Sequence, residues 1–317
     1  MSESYESKTY FAMSLDPVHI GTGGYRLGRV DNTIVREAGT NLPKIPGTSI
    51  EGNARTYVYY AEQENRDLNE ACAVGKNLKD NKDPCGKCPV CVTFGFTKKD
   101  KSLHGMAQFN DARILFFPVH SMIGPVWVTC PSILKEIFEK KENIPVLVNK
   151  ELRKEEIIVS SQIKENHNIQ KLNLGFLYLN MKYEQNFVDD IEILPTKFKD
   201  ILERLVVVNN DIFEKIVNSN LEVRTSVSID PRTGAAEEGA LFTYEAIPRA
   251  TVFWFDLVAN DPKKFNVDPS SEINSPQRVI KEVEKSFKYF ENLGIGGMQT
   301  KGFGRLRILN GGSDGSN

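Results

Sequence analysis

The sequence predicts an α+β protein with a ferredoxin-like core, and three features of its pattern carry that expectation. A strand pattern near the start leads into an amphipathic helix. A second amphipathic helix and a closing strand stand at the other end. Between them lie mostly β-type runs, so the order is β, α, several β, α, β.

Lys8 to Leu15 alternates aromatic, polar and apolar residues and reads as the first strand. The stretch to Gly47 is loop-rich, with a short extended piece around Val30 to Arg36. A helix follows, capped at Thr48 or Ser49, with Ile50, Ala54, Val58 and Ala61 on one face. Glu64 to Lys101 is polar, cysteine-bearing and weakly periodic, which marks an insertion. Ala112 to Val119 and Pro125 to Cys130 are apolar β-type runs, and Ser132 to Lys141 reads as a short helix. Ile157 to Ser160 and Leu174 to Tyr183 read as strands, and Thr196 to Asn218 as one long helix. Glu222 to Asp256 has strand-like runs around the polar centre DPRTGAAEEG, the pattern of a protruding hairpin. Ser275 to Leu293 is the clearest helix, with Ser275 to cap it, Pro276 at its first position and Gly294 to end it. Gly304 to Leu309 closes with a strand. The organisation expected is a single domain over 1–309, with an insertion at about 64–105 and a hairpin at about 222–247. A disordered tail over 310–317 ends the chain.

Forty Lys+Arg against 42 Asp+Glu leave a net charge of -2, so a nucleic-acid surface here must be a local patch. No apolar run approaches the ~20 residues of a membrane-spanning helix. The start lacks the basic-then-apolar layout of a signal peptide, so the cytoplasm is the expected location and no membrane partner is expected. Five cysteines, three of them clustered, fit a reducing compartment better than a disulfide framework.

Two glycine-rich segments carry the main functional signal: His19 to Arg55 and Gly294 to Leu309. Glycine lets backbone N–H groups approach a ligand closely, and successive exposed N–H groups make anion-binding concavities. Here the glycines are interleaved with Arg26, Arg29, Arg36, Arg55, Lys301, Arg305 and Arg307, so a phosphate backbone is expected across both segments. In the first, Gly21, Gly23, Arg36, Gly47, Ser49 and Arg55 are the expected contacts, the helix start after Pro46-Gly47 being an anion site. In the second they are Gly296, Gly297, Lys301, Gly302 and Arg305. Gly21 to Gly28 lacks the Gly-Lys-Ser/Thr ending of a nucleotide triphosphatase loop, and the late segment stands in the wrong order for a dinucleotide fingerprint.

Asp31 lies beside Arg29 and Arg36, where a carboxylate can ligate a hydrated divalent metal, accept a proton, or serve only a turn or an ion pair. His19 precedes the first glycines and reads, from spacing alone, as a structural residue. Cys85-x2-Cys88-x2-Cys91 offers three thiolates at a spacing suited to structural zinc. Cys72 is the expected fourth ligand and His104 the alternative. Cys130 sits in an apolar run and reads as core.

Together these motifs resemble the RAMP superfamily. His19 to Arg55 resembles its N-terminal signature. FNDARILFFPVHSMIGPVWVTCP, Phe109 to Pro131, is similar to the repeated backbone subunits of the Cmr complex, a type III CRISPR effector. RTSVSIDPRTGAAEEGALFTYEAIP, Arg224 to Pro248, resembles the thumb of those subunits, and GIGGMQTKGFGRLRI their C-terminal glycine loop. The likeness to the related Csm backbone is weaker.

The resemblance implies a modified RRM fold with a zinc-bearing insertion and a thumb. It implies stacking head-to-tail on CRISPR guide RNA with other type III subunits. It further implies cleavage of complementary target RNA at regular intervals by the aspartate matching Asp31, with magnesium or manganese as the divalent metal and His19 assisting. Glu51 stands where the family commonly has lysine, and His120 where it often has arginine. Two other readings remain: a backbone subunit that holds guide RNA without cutting, and a stand-alone ribonuclease processing guide precursors. The latter usually rely on histidine, and the four histidines here lie in no paired arrangement.

Overall fold

The structure is a computed structural model and describes residues 4–23, 30–78, 83–138, 151–167, 169–183 and 198–311. Arg26, Gly28 and Arg29, the end of the helix expected to Lys141, and tail residues 312–317 lie outside the described residues. It is a mixed α+β structure. Its chain divides into two compact units, 1–20 with 45–113 and 254–317, and 21–44 with 114–253. A single domain over 1–309 was the expectation from sequence.

In the first unit, β1 (Tyr5–Ser14) is followed, after the short β2 (Lys44–Ile45), by α1 (Gly47–Gln63). Ile50, Ala54, Val58 and Ala61 are buried along α1 as the periodicity requires. Its cap differs: Pro46 holds the cap position and no side chain of the turn caps it. The insertion holds α2 (Glu70–Val74), α3 (Pro89–Phe94), and the hairpin β3 (Phe96–Lys98) and β4 (Lys101–Leu103), leading to β5 (Ala107–Phe109).

The second unit begins its sheet with β6 (Ala112–Ser121) and β7 (Gly124–Thr129), then α4 (Pro131–Phe138) and β8 (Glu156–Val159). After α5 (Ser161–Asn166), the run Leu174 to Tyr183 is not one strand. It is the end of β9 (Lys171–Leu174), a turn at Gly175 (φ 60°), and β10 (Leu177–Tyr183). The long helix expected over Thr196 to Asn218 is also corrected. The described part holds α6 (Lys199–Leu202), β11 (Leu205–Val208) and α7 (Asn210–Ser219). Leu205-Val206-Val207-Val208 is wholly buried, as a central strand should be, and Asn209 caps a new helix by accepting from Asp211 N–H at 2.8 Å. β11 runs parallel to β7 and antiparallel to β8, giving the order β6-β7-β11-β8-β10-β9. β12 (Glu222–Ile229) and β13 (Ala236–Ala246) form the expected hairpin, closed by a turn at Asp230 to Gly234.

The chain then completes the first unit with β14 (Val252–Asn260), α8 (Pro276–Glu284), α9 (Phe287–Asn292) and β15 (Leu306–Ile308). The helix expected over Ser275 to Leu293 is thus two helices. Ser286 bonds back to the Val283 carbonyl at 2.6 Å, a side-chain bond that interrupts a helix. Ser275 and Pro276 start it and Gly294 (φ 82°) follows it, as expected. Here β15, β1 and β14 lie side by side, with β5 on β14. Tyr10 of β1 stacks on Phe255 and meets Phe287 edge-on at 5.0 Å, so α9 covers this sheet. Each such buried aromatic contributes about 2–3 kcal/mol relative to exposure.

Candidate functional site

The loop carrying Asp31 is pinned to the base of the β12–β13 hairpin. Asn32 N–H donates to the Thr243 carbonyl and Glu245 N–H to the Asn32 carbonyl, each at 3.0 Å, so residues around Asn32 pair beside Tyr244 like a short added strand. Asp31 and Thr243 then bond reciprocally. Asp31 Oδ2 accepts from Thr243 N–H at 2.8 Å and from its Oγ1 hydroxyl at 2.7 Å, while that Oγ1 accepts from Asp31 N–H at 3.0 Å. These bonds hold the carboxyl below the usual carboxylate range, the Thr243 backbone donor acting most. Among the described residues Oδ1 accepts no hydrogen bond. The result is an ionised carboxylate with one oxygen fixed and one unused. Such a group is a weak base but a good orienter of a hydroxyl or ligand to a cation.

Two residues on, Glu245 ties the same loop down. Its Oε2 accepts from Ile34 N–H at 3.2 Å and its Oε1 pairs with Arg36 at 2.6 Å. The rest of the Arg36 guanidinium bonds Asn218 and the Ile34 carbonyl. Arg36 therefore braces the loop. Gly21 bridges to Ile34, while Gly23 is exposed at φ 73° with open space around it.

In the first unit the late glycine loop closes on His19. Gly297 N–H donates to the His19 carbonyl at 2.9 Å. A side chain at Gly296, already at φ 81°, would collide with Ile20 and that carbonyl. His19 is buried, so its visible role is to seat this loop. The Tyr57 hydroxyl and the Gln299 amide both donate to the Gly294 carbonyl, tying the loop to α1. Lys301 and Gly302 are exposed at its turn, whereas Arg305 pairs with Asp16 in a bidentate contact through Nε and Nη2.

The start of α1 is filled from within the chain. Gly47 N–H donates to Asp111 Oδ1 at 2.8 Å and Ser49 N–H to the Pro46 carbonyl at 2.9 Å. The Asp111 carboxylate therefore already accepts from the first N–H of α1. Gly47 is needed there because a Cβ would overlap the Phe109 carbonyl.

Arg55 is engaged within the chain. Its guanidinium donates to the carbonyls of Cys72 at 3.0 Å, Phe94 at 3.2 Å and Gly95 at 2.7 Å. It clamps the cysteine-bearing segment. Cys72, Cys85, Cys88 and Cys91 come together there, with their sulfurs all within 4.8 Å of one another. Backbone N–H groups of Cys85, Cys88 and Cys91 point at the preceding sulfurs at 3.3–3.4 Å, as in thiolate cages. Hydrogen bonding with Cys72 pulls the Cys85 thiol down and pushes Cys88 up, so the set shares protons that a cation would displace. His104 stacks instead on Phe265, which makes Cys72 the fourth member. Cys130 is buried beside Ser132, as core.

Thr243, Glu245 and Asp111 were not foreseen. Thr243 lies 212 residues from Asp31 and Asp111 64 residues from Gly47, and no local pattern announces either pairing.

The chain is 30% identical over 312 residues to the CRISPR system Cmr endoribonuclease Cmr4 of Pyrococcus furiosus, a match covering 93% of this chain and 92% of that protein. It is 32% identical over 92 residues to the CRISPR system Cms endoribonuclease Csm3 of Methanothermobacter thermautotrophicus, covering 28% of this chain and 32% of that one. Among solved structures, the type III-B Cmr-beta complex bound to cognate target RNA contains a chain matched with a TM-score of 0.64 at 16% identity, covering 97% and 99% of the two chains. Oligomeric Cmr4 from Pyrococcus furiosus matches with a TM-score of 0.60 at 21% identity, covering 96% and 98%. These two likenesses establish the fold. The family model of the RAMP superfamily matches residues 13–307, and with a relative aligned over nearly its whole length this chain belongs to the RAMP superfamily.

Proposed function

We propose that this chain is a guide-RNA-binding backbone subunit of a type III CRISPR effector and that it cuts complementary target RNA with Asp31. Its core is a modified ferredoxin-like fold with a zinc-bearing insertion and a thumb, the β12–β13 hairpin. Its partners are guide RNA, target RNA, further copies of itself and other effector subunits. The observation that carries the reading is the Asp31 carboxylate, fixed through Oδ2 with Oδ1 unused at the root of a hairpin whose Val227, Ile229 and Leu241 are exposed. The near full-length relation to a protein named an endoribonuclease supports it.

In the proposed reaction the target's own 2′-hydroxyl attacks the adjacent phosphorus. The O2′–P bond forms and the P–O5′ bond breaks, leaving a 2′,3′-cyclic phosphate and a 5′-hydroxyl. The hydroxyl proton passes to water, and water protonates the leaving O5′. Asp31, held below the usual carboxylate range, serves by orienting the 2′-hydroxyl and fixing local charge rather than as the main proton acceptor. One unused carboxylate oxygen fits a magnesium or manganese ion whose other ligands are water and phosphate, and such an ion would neutralise charge at the scissile phosphate. Lys301 and the loop around Gly302 remain as guide-backbone contacts. The four cysteines fit a tetrahedral structural zinc.

The test uses the assembled complex with matched RNA. Asp31→Ala is expected to abolish cutting while guide and target binding persist. Full cutting by that variant would remove Asp31 from the chemistry and favour a holding role for the chain.

A further inference from the structure

We propose that Thr243 is a positioning residue for target cutting: its hydroxyl fixes the rotation of the Asp31 carboxylate, so that Oδ1 is the oxygen presented to RNA. This rests on the reading of Asp31 as the cutting carboxylate.

The geometry has two parts. Thr243 Oγ1 closes a ring with Asp31, donating to Oδ2 at 2.7 Å and accepting from Asp31 N–H at 3.0 Å. The Thr243 N–H adds a second bond to the same Oδ2 at 2.8 Å. Two donors on one oxygen and none on the other break the symmetry of the carboxylate. They leave Oδ1 as its only unbonded oxygen among the described residues. The Thr243 carbonyl meanwhile accepts from Asn32 N–H at 3.0 Å, so backbone and side chain of one residue hold the loop from both sides of Asp31. The root of the hairpin and the carboxylate therefore move as one body.

Thr243→Val keeps the β-branched shape and both backbone bonds but removes the ring. Thr243→Ser keeps the ring. Single-turnover cutting of matched RNA by the assembled complex is measured beside guide and target affinity. A carboxylate released from one orientation loses its alignment, so the valine variant should cut about 10- to 100-fold more slowly at unchanged affinity. The serine variant should cut within about threefold of the parent. In an Asp31→Ala background, Thr243→Val should change residual cutting no further, because the two residues act as one unit.

Wild-type cutting by the valine variant would overturn the proposal, as would a serine variant as slow as valine, or affinity lost in parallel with rate. Full cutting by Asp31→Ala alone would overturn the underlying reading and this proposal with it. An inactive Asp31→Ala complex beside a fully active Thr243→Val complex would sink this proposal only.

Discussion

At the scale of single residues, charge type proved a poor guide to role. Arg36, Arg55 and Arg305 lie among glycines and look like phosphate ligands, yet each guanidinium is committed to partners in its own chain. Arginine's planar fork of donors suits clusters of carbonyls as well as phosphates. Arg55 illustrates the consequence. It serves the Cys72, Phe94 and Gly95 carbonyls, and burial lowers its pKa, a strain that the nearby Glu51 carboxylate eases. Truncation leaves those carbonyls without donors, at a cost of about 2–4 kcal/mol. Arg55→Ala should therefore lower the melting temperature by several degrees and leave guide affinity of the folded protein unchanged. Arg55→Lys should not restore stability, since one ammonium cannot reach three carbonyls. Thermal melts beside guide titrations check this, and weaker guide binding at an unchanged melting temperature would return Arg55 to the RNA surface.

At the scale of elements, legibility followed the range of the interactions that define them. Helix α1, the start of α8, strand β6 and the β12–β13 hairpin were readable because stripe, cap and turn lie within a few residues. Elements set by distant partners were not. The run Leu205 to Val208 is short and apolar, a pattern that buried strands share with buried helix segments, and its place between β7 and β8 makes it a strand. The cysteine insertion falls between these cases. Its spacing was readable, with Cys72 expected ahead of His104, and the fold agrees by gathering Cys72 with the other three and stacking His104 on Phe265. The insertion buries Val90, Val92, Phe94 and Phe96 beside the cysteine cage, and a metal there would tie α2 to α3. Protein purified without added metal should carry one zinc per chain. Strong chelation should release it, lower the melting temperature and expose the segment from α2 to β4 to protease. Well-folded, metal-free protein with an undisturbed insertion would contradict this.

At the scale of the whole molecule, the candidate site was half legible. Asp31 could be singled out from its loop, but not Thr243, which gives its carboxylate a direction, nor Glu245, which ties down its loop, because both return from more than 200 residues away. That return has a further consequence for assembly. Thr243 stands near the root of β13, whose other end is Ala236, next to the turn. Thr243 pairs with Thr225 and Ala236 with Ile229, so the four-residue step along β12 sets the reach: at about 3.4 Å per residue Ala236 lies roughly 14 Å from Thr243, with the Asp230 to Gly234 turn beyond it. If Asp31 cuts as proposed, a hairpin tip at that remove splays a nucleotide other than the one at its own carboxylate. In a head-to-tail stack the tip of one copy would serve the carboxylate of the next. Two inactive chains should then complement each other. Deleting Arg232 to Glu237 removes the tip and keeps Asp31, while Asp31→Ala keeps the tip and removes the carboxylate. Complexes built from either chain alone should fail to cut. A random equal mixture should cut at about a quarter of the junctions, wherever an Asp31→Ala copy lends its tip to a tip-deleted neighbour. Cutting of matched RNA, resolved by fragment length, measures this. A mixture as inactive as its components would place tip and carboxylate in the same copy.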